Sequence, residues 1–595
     1  MQKYAVNQYL VNNILNWVSS GEIAIPEIQR PFVWKAAKVR DLIDSLYQGY
    51  PVGYIIAWQN PNIRLKDGTK SQGKKVLIDG QQRVTALTAA LLGQQVTNKE
   101  YKKVRVTIAF NPLSEKFEVS NPAIQKDDSW INDIAVFFAP GFSSYQFVTD
   151  YCDLNEGVEK DVLNEKIERL RNLANKQIGM IELAPDLSIE DVTEIFIRIN
   201  SKGVVLSQAD FAMSKIASHG EFGANLRKFI DYFCHLAVAP EYYAQLSTND
   251  TTFAKTPYLD KIRWLKDEND DLYDPTYNDL LRVAFTIEFN RGKLSDLVSL
   301  LSGRNFETRS YDQEIAEQSF KSLESGIIRA TSETHFKRFL MIIKSAGYID
   351  KSLISSSGAL NFAHIAYLKM VEQKVPSSEI GSLVRRWFVM SVITGRYSAS
   401  AETQFDQDIK RIAVQGLADT LEAIELGELS DAFWEISLPE TLQSTSINNP
   451  QFNTFQAAQV KNNTKGFLSK AQTIRDLITH RGDLHHLFPK NFLKKSNPAR
   501  TYYNQVANFA ITEQPINIAI ADRPPLDYMG KVRNQCNSGK LTYGGIDDEN
   551  ELLENLREHA IPAAFIDMNI DDYPDFLEER RKSMALIIKD YYKDL

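Results

Sequence analysis

Three of the eight histidines crowd into one stretch, His480, His485 and His486 in Thr479-His480-Arg481-Gly482-Asp483-Leu484-His485-His486-Leu487-Phe488-Pro489-Lys490. Neighbouring imidazoles at the end of a short strand project to opposite faces, so one can coordinate a cation while the other remains free to take a proton. Asn508 and Asn517 follow downstream, in Ala507-Asn508-Phe509-Ala510-Ile511 and Pro515-Ile516-Asn517-Ile518-Ala519. Their amide oxygens are donors of the kind hard cations prefer. The competing expectation is that His485 and His486 only pack within a hairpin. His480 and Asp483 lie close by and are read as surface or supporting residues.

A second constellation lies near the start of the chain. Asp79-Gly80-Gln81-Gln82-Arg83 falls between an apolar strand and a helix, where backbone N–H groups and the helix dipole favour an anion. Gly80 permits a tight turn, Arg83 offers a bidentate guanidinium to phosphate, and Asp79 can bind a metal or a water. Arg30 stands just beyond a strand in Ile25-Pro26-Glu27-Ile28-Gln29-Arg30, and Asn200 opens the polar turn Asn200-Ser201-Lys202-Gly203. The alternative is that Asp79 and Arg83 form a salt bridge that fixes the turn and nothing more.

The elements that must carry these residues follow from hydrophobic spacing. Tyr4 to Ser20 reads as an amphipathic helix, Ile23 to Ile28 as a short strand, Ala36 to Tyr47 as a helix, and Val52 to Trp58 as a buried strand. Val76 to Ile78 leads into the Asp79–Arg83 turn and a helix from Val84 to Leu92. A hairpin over Val104 to Val119, a strand at Gln177 to Leu183 and helices at Ile189 to Asn200 and Gln208 to Ser218 complete a mixed α/β region of about 220 residues. From about Glu221 to Leu438 the period lengthens to that of helices. Gln443 to Asn463, rich in Asn, Ser, Thr and Gln, reads as a linker or surface loop.

At 595 residues the chain is too long for one hydrophobic core, and its 43% hydrophobic and 24% charged content is that of a folded protein. With 3 cysteines it has no disulfide framework and no paired-cysteine zinc motif, which fits a reducing cytoplasm. No apolar run approaches the length of a membrane span, so no membrane partner is expected. The net charge of -8 argues against a polyanionic partner, but the balance is uneven. Residues 461–540 hold 13 Lys and Arg against 5 Asp and Glu, and residues 541–595 hold 6 against 14. Two imitations are set aside. Gly68-Thr69-Lys70-Ser71-Gln72-Gly73-Lys74-Lys75 ends in Lys where a P-loop needs Ser or Thr, and it precedes its strand. Sulfiredoxin-like chemistry would need a cysteine in the Asp79–Arg83 turn.

The C-terminal constellation resembles the His-Asn-His (HNH, ββα-metal or His-Me finger) nuclease motif in the form found in GmrSD-family proteins. The resemblance implies that His486 is the general base, that His485 and Asn517 hold one divalent metal, Mg²⁺ or Mn²⁺, and that Asn508 ties the hairpin. Asn517 stands where many members have His. Such a site suits phosphodiester hydrolysis, which needs an activated nucleophile and a cation on the leaving oxygen. The N-terminal motifs, over roughly residues 10–215, resemble the N-terminal domain of the same family, whose ParB- and sulfiredoxin-related fold is linked to NTP binding and hydrolysis. That implies a nucleotide site at Asp79, Gly80, Gln81, Gln82, Arg83, Arg30 and Asn200. The expected architecture is therefore α+β and multidomain: a ParB-like NTP-binding domain over 1–220, a helical middle over 221–440, and an HNH nuclease domain over 441–595. The implied activity is an NTP- and metal-dependent endonuclease that restricts modified phage DNA in the cytoplasm, with homo-oligomerisation left open. Two rivals stand beside it: a nuclease that uses nucleotide only as a regulator, and a non-catalytic nucleotide-sensing, DNA-binding or toxin-antitoxin component.

Overall fold

The strand β1 (Tyr4–Leu10) pairs antiparallel with β9 (Gln177–Leu183), Tyr4 opposite Leu183 and Leu10 opposite Gln177. The expected helix over Tyr4 to Ser20 is therefore only half right. The helix occupies Val11–Ser19, where Val11, Ile14 and Leu15 are buried at helical spacing, while Tyr4, Val6 and Tyr9 suit a strand whose partner is more than 160 residues away. This computed structural model describes residues 3–24, 34–58, 75–97, 103–187, 195, 207–268, 270–480 and 482–595.

Between them lie β2 (Ile23–Ala24), β3 (Ile55–Trp58), β4 (Lys75–Asp79), β5 (Val96–Thr97), β6 (Lys103–Val104), β7 (Ile108–Asn111) and β8 (Lys116–Val119). One five-stranded mixed sheet has the order β1-β9-β3-β4-β2, and β5–β6 and β7–β8 form separate hairpins. Ile55 and Ala57 of β3 face a core with Val39, Ile43 and Leu87 from the helices Ala36–Gln48 and Gln81–Leu91. Ile56 and Trp58 face a second cluster with Ile78 and Leu183. Covered on both sides, β3 reads as an unbroken apolar run.

The chain divides into two compact units, one of residues 1–268, 276–278 and 298–320, the other of 269–275, 279–297 and 321–595. The first holds the sheet. The second contains the long helices expected from their periodicity, among them Glu333–Ser345, Ser357–Glu372 and Ser377–Ile393. The mixed α+β, mostly helical character is as expected. Among the described residues no helix is long and apolar enough to cross a membrane.

The proposed linker Gln443 to Asn463 is largely a helix. Asn449 caps Pro450–Lys461 by accepting from Phe452 N at 2.8 Å, and Phe452, Phe455, Ala457, Ala458 and Val460 are buried. Gln451, Asn453, Thr454 and Gln459 are buried too, with distant partners: Gln451 donates to Ile393 O at 3.0 Å, and Thr454 and Tyr348 share a hydrogen bond at 2.7 Å. Composition misleads here because hydrogen bonds made across the fold satisfy amides that look solvent-seeking in isolation.

Candidate functional site

Asp483–His486 forms β10 and Phe509–Thr512 forms β11, antiparallel, with His485 opposite Ala510 and His486 opposite Phe509. The connection between them carries the short helices Lys490–Lys494 and Arg500–Tyr503, and the helix Gln514–Ile520 follows β11. Alternation along β10 sets Asp483 and His485 on one face and Leu484 and His486 on the other.

His485 is buried, its ring stacked on Phe467 and edge-on to Tyr528. Its Nδ1 lies 2.8 Å from Oδ1 of Asn517, and Asn517 Nδ2 donates to Asp483 Oδ2 at 3.1 Å. Nδ1 therefore carries the ring proton, while Nε2 is buried without a hydrogen-bond partner. Burial pushes His485 down to about 4, against a smaller upward effect of the Asn517 bond. His486 lies edge-on to Phe509, and its Nε2 is likewise buried and unpartnered. Burial lowers its pKa as well, opposed by a hydrogen bond with Asn504. Both rings are neutral at neutral pH, the form needed either to accept a proton or to bind a cation.

Asn508, fully buried, accepts from Phe488 N at 2.8 Å through Oδ1 and donates through Nδ2 to Phe488 O at 3.0 Å and Tyr503 O at 3.2 Å. With these bonds it ties together the two ends of the connection between the strands. The sequence assigned nothing to two further residues that frame this point. Arg580 is fully buried and donates to Ala507 O at 2.7 Å and Phe509 O at 2.8 Å, on either side of Asn508, and to His559 O. Burial without a carboxylate partner pushes its guanidinium down to about 9. Tyr528 donates to Leu487 O at 2.8 Å, just after the histidines. No sequence signal pointed to either, because each acts on backbone carbonyls far along the chain.

Among the described residues no three His, Cys, Asp or Glu side chains gather in a metal-binding group. The donor set at His485 draws on an amide instead. Two ligands at about 2.1 Å from one ion, at right angles, stand about 3 Å apart, close to the observed separation of His485 Nδ1 and Asn517 Oδ1. The unengaged Nε2 can carry the ring proton when Nδ1 coordinates. The residues present therefore offer a divalent cation one imidazole nitrogen and one amide oxygen.

In the first unit, Asp79 ends β4, Gly80 makes a one-residue turn at φ 91°, and Gln81, Gln82 and Arg83 form the first helical turn of Gln81–Leu91. The helix thus begins three residues earlier than expected. A Cβ on Gly80 would come within 3.1 Å of Ile55 Cα, so the left-handed turn and the packing both call for glycine. Gln81 and Gln82 are buried, and Gln81 Oε1 has no partner. Arg83 donates to Tyr54 O at 2.8 Å and pairs with Asp79 at 3.7 Å, while Gly53 leaves room for its guanidinium. The five motif residues are brought together. Arg30 and Asn200 lie outside the described residues.

Residues 11–217 match the family model described as the GmrSD restriction endonuclease N-terminal domain. The N-terminal region is thus similar to the N-terminal domain of that family. The matched stretch runs from the helix Val11–Ser19 past β9 and takes in Asp79–Arg83. An uncharacterized protein of Methanocaldococcus jannaschii is similar along almost the whole chain, at 22% identity over 94% of this chain and 93% of its own length.

Proposed function

We propose that the protein is a divalent-metal-dependent DNA endonuclease of the restriction kind, regulated or powered by a nucleoside triphosphate bound at the GmrSD-like N-terminal region. The observation that carries the nuclease reading is the pairing of His485 Nδ1 with Asn517 Oδ1 at 2.8 Å, followed in the strand by His486, a half-buried neutral imidazole whose Nε2 has no partner. In this reading His486 takes the proton of the attacking water. His485 and Asn517 hold Mg²⁺ or Mn²⁺, which when bound neutralises charge on the scissile phosphate and leaving oxygen. Asn508 keeps the histidines in register through Phe488. Lys490, Lys494, Lys495 and Arg500 grip the DNA backbone, all four exposed on a connection without a single carboxylate.

The division of labour follows the expected regions: nucleotide at 1–220, cleavage at 441–595, and the helical 221–440 between them. The restriction part of this reading is supported by the N-terminal family match, and modified phage DNA as the target is carried over from the resemblance alone. Arg83 is engaged by Tyr54 O and Asp79, which gives it a structural task in the turn, as in the alternative of a salt bridge that fixes the turn.

The test incubates purified protein with modified and unmodified phage DNA, with and without NTP and Mg²⁺. Cleavage should require metal, and His486→Ala should lower it by about 10²–10⁴-fold while leaving DNA binding intact. Cleavage by His486→Ala at the wild-type rate would remove the assignment. Phosphate release by wild type and Asp79→Ala then separates hydrolysis from binding alone.

A further inference from the structure

An asparagine amide offers a cation only its oxygen, and its other end is a donor that repels one. At Asn517 something must decide which end faces His485. Asp483 sits two residues before His485 on the same face of β10, and its carboxylate can only accept. It accepts a hydrogen bond from Asn517 Nδ2 at 3.1 Å, which leaves Oδ1 turned toward His485 Nδ1 at 2.8 Å. The three side chains form one row, carboxylate to amide to imidazole, ending in a buried ring nitrogen without a partner.

We infer that Asp483 is the positioning residue of the cation site, fixing the amide of Asn517 so that its oxygen, not its nitrogen, faces the metal. This rests on the metal reading of His485 and Asn517 given above. Outer partners of this kind typically change metal affinity by about 10–100-fold. Asp483 is neither base nor ligand here, so its effect is felt in how tightly the ion is held. An asparagine in its place could present either end to Asn517 and would release the choice.

Mn²⁺ is titrated calorimetrically into the full chain, without DNA, for four proteins: wild type, Asp483→Asn, Asn517→Asp and the double variant. A carboxylate in place of the Asn517 amide has two equivalent oxygens and needs no orienting. Asp483→Asn should therefore weaken Mn²⁺ binding by about 10–100-fold when Asn517 is intact and by nothing measurable in the Asn517→Asp background, a non-additivity that only coupling between the two positions produces. Asp483→Glu, which can still accept, should retain affinity, and thermal melting without metal checks that each variant is folded. Equal losses in both backgrounds would mean that Asp483 acts through its charge and would overturn the orienting role, as would wild-type affinity in Asp483→Asn. Absence of Mn²⁺ binding by wild type would instead defeat the metal reading itself.

Discussion

Asn508 concentrates more of the local architecture than either histidine. Its side chain makes three hydrogen bonds, all to backbone and all buried, so its removal leaves Phe488 N, Phe488 O and Tyr503 O without partners. Each buried group left unsatisfied costs about 1–3 kcal/mol. Asn508→Ala should therefore lower stability by roughly 3 kcal/mol or more, measured by denaturant unfolding, and should abolish cleavage together with it. His486→Ala removes a half-buried ring packed on Phe509 and should lower the unfolding midpoint by less than Asn508→Ala does. The two losses of activity thus have different origins, and the unfolding curve separates them. At this scale the sequence was informative: a strand's two-residue period is enough to put His485 and His486 on opposite faces. Arg580 carries no signal in the sequence, and Asp483 reads there only as a surface or supporting residue, because their partners depend on how helices and strands dock, not on spacing.

The connection between β10 and β11 is the element most readily tested. Its four cations, Lys490, Lys494, Lys495 and Arg500, are exposed, and Lys490 and Lys494 approach the ring of Tyr503 at 5.7 and 5.5 Å. Cations that neutralise phosphates release counterions, and binding then weakens with salt by about 0.9 in log K per phosphate contact on B-DNA. Changing all four to Gln should flatten the salt dependence of DNA binding by up to about 3 to 4 in slope, read by fluorescence anisotropy across a salt series. An unchanged slope would place the DNA contact elsewhere. The Asp79–Arg83 turn was legible as an element, since an apolar run, a glycine and a helix must join somewhere. Its helix starts earlier than the apolar pattern suggests because Gln81 and Gln82 are buried by the fold, as no hydropathy rule would demand.

For the second unit as a whole, acid is the sharpest probe. His364, His485 and His559 are fully buried, and burial holds them near 3, 4 and 3 against an ordinary 6.5. The unfolded chain takes up these protons first, so stability is complete above about pH 6.5 and falls as pH drops toward 4. At pH 5 each costs about 2 kcal/mol, well before most carboxylates titrate. Denaturant unfolding at pH 7.5, 6 and 5 should show this decline, and His364→Phe should make it shallower, because His364 lies stacked on Phe339 with neither ring nitrogen bonded. A pH-independent midpoint across this range would mean that the buried rings find protons or water when the unit breathes.

Short-range pattern determined the helical middle, the apolar run of β3, the strand of His485 and His486, and the order of residues around them, because side-chain periodicity acts within a few turns. The tertiary structure decided what periodicity cannot reach. It made Tyr4–Leu10 a strand by supplying β9, and it turned the polar stretch before the histidines into a buried helix by giving Gln451 and Thr454 distant partners. It also chose which end of Asn517 meets His485, through Asp483. In each case a backbone or side-chain hydrogen bond found its partner only when remote segments met, and the free energy of leaving that group unpaired in the interior exceeds any local preference.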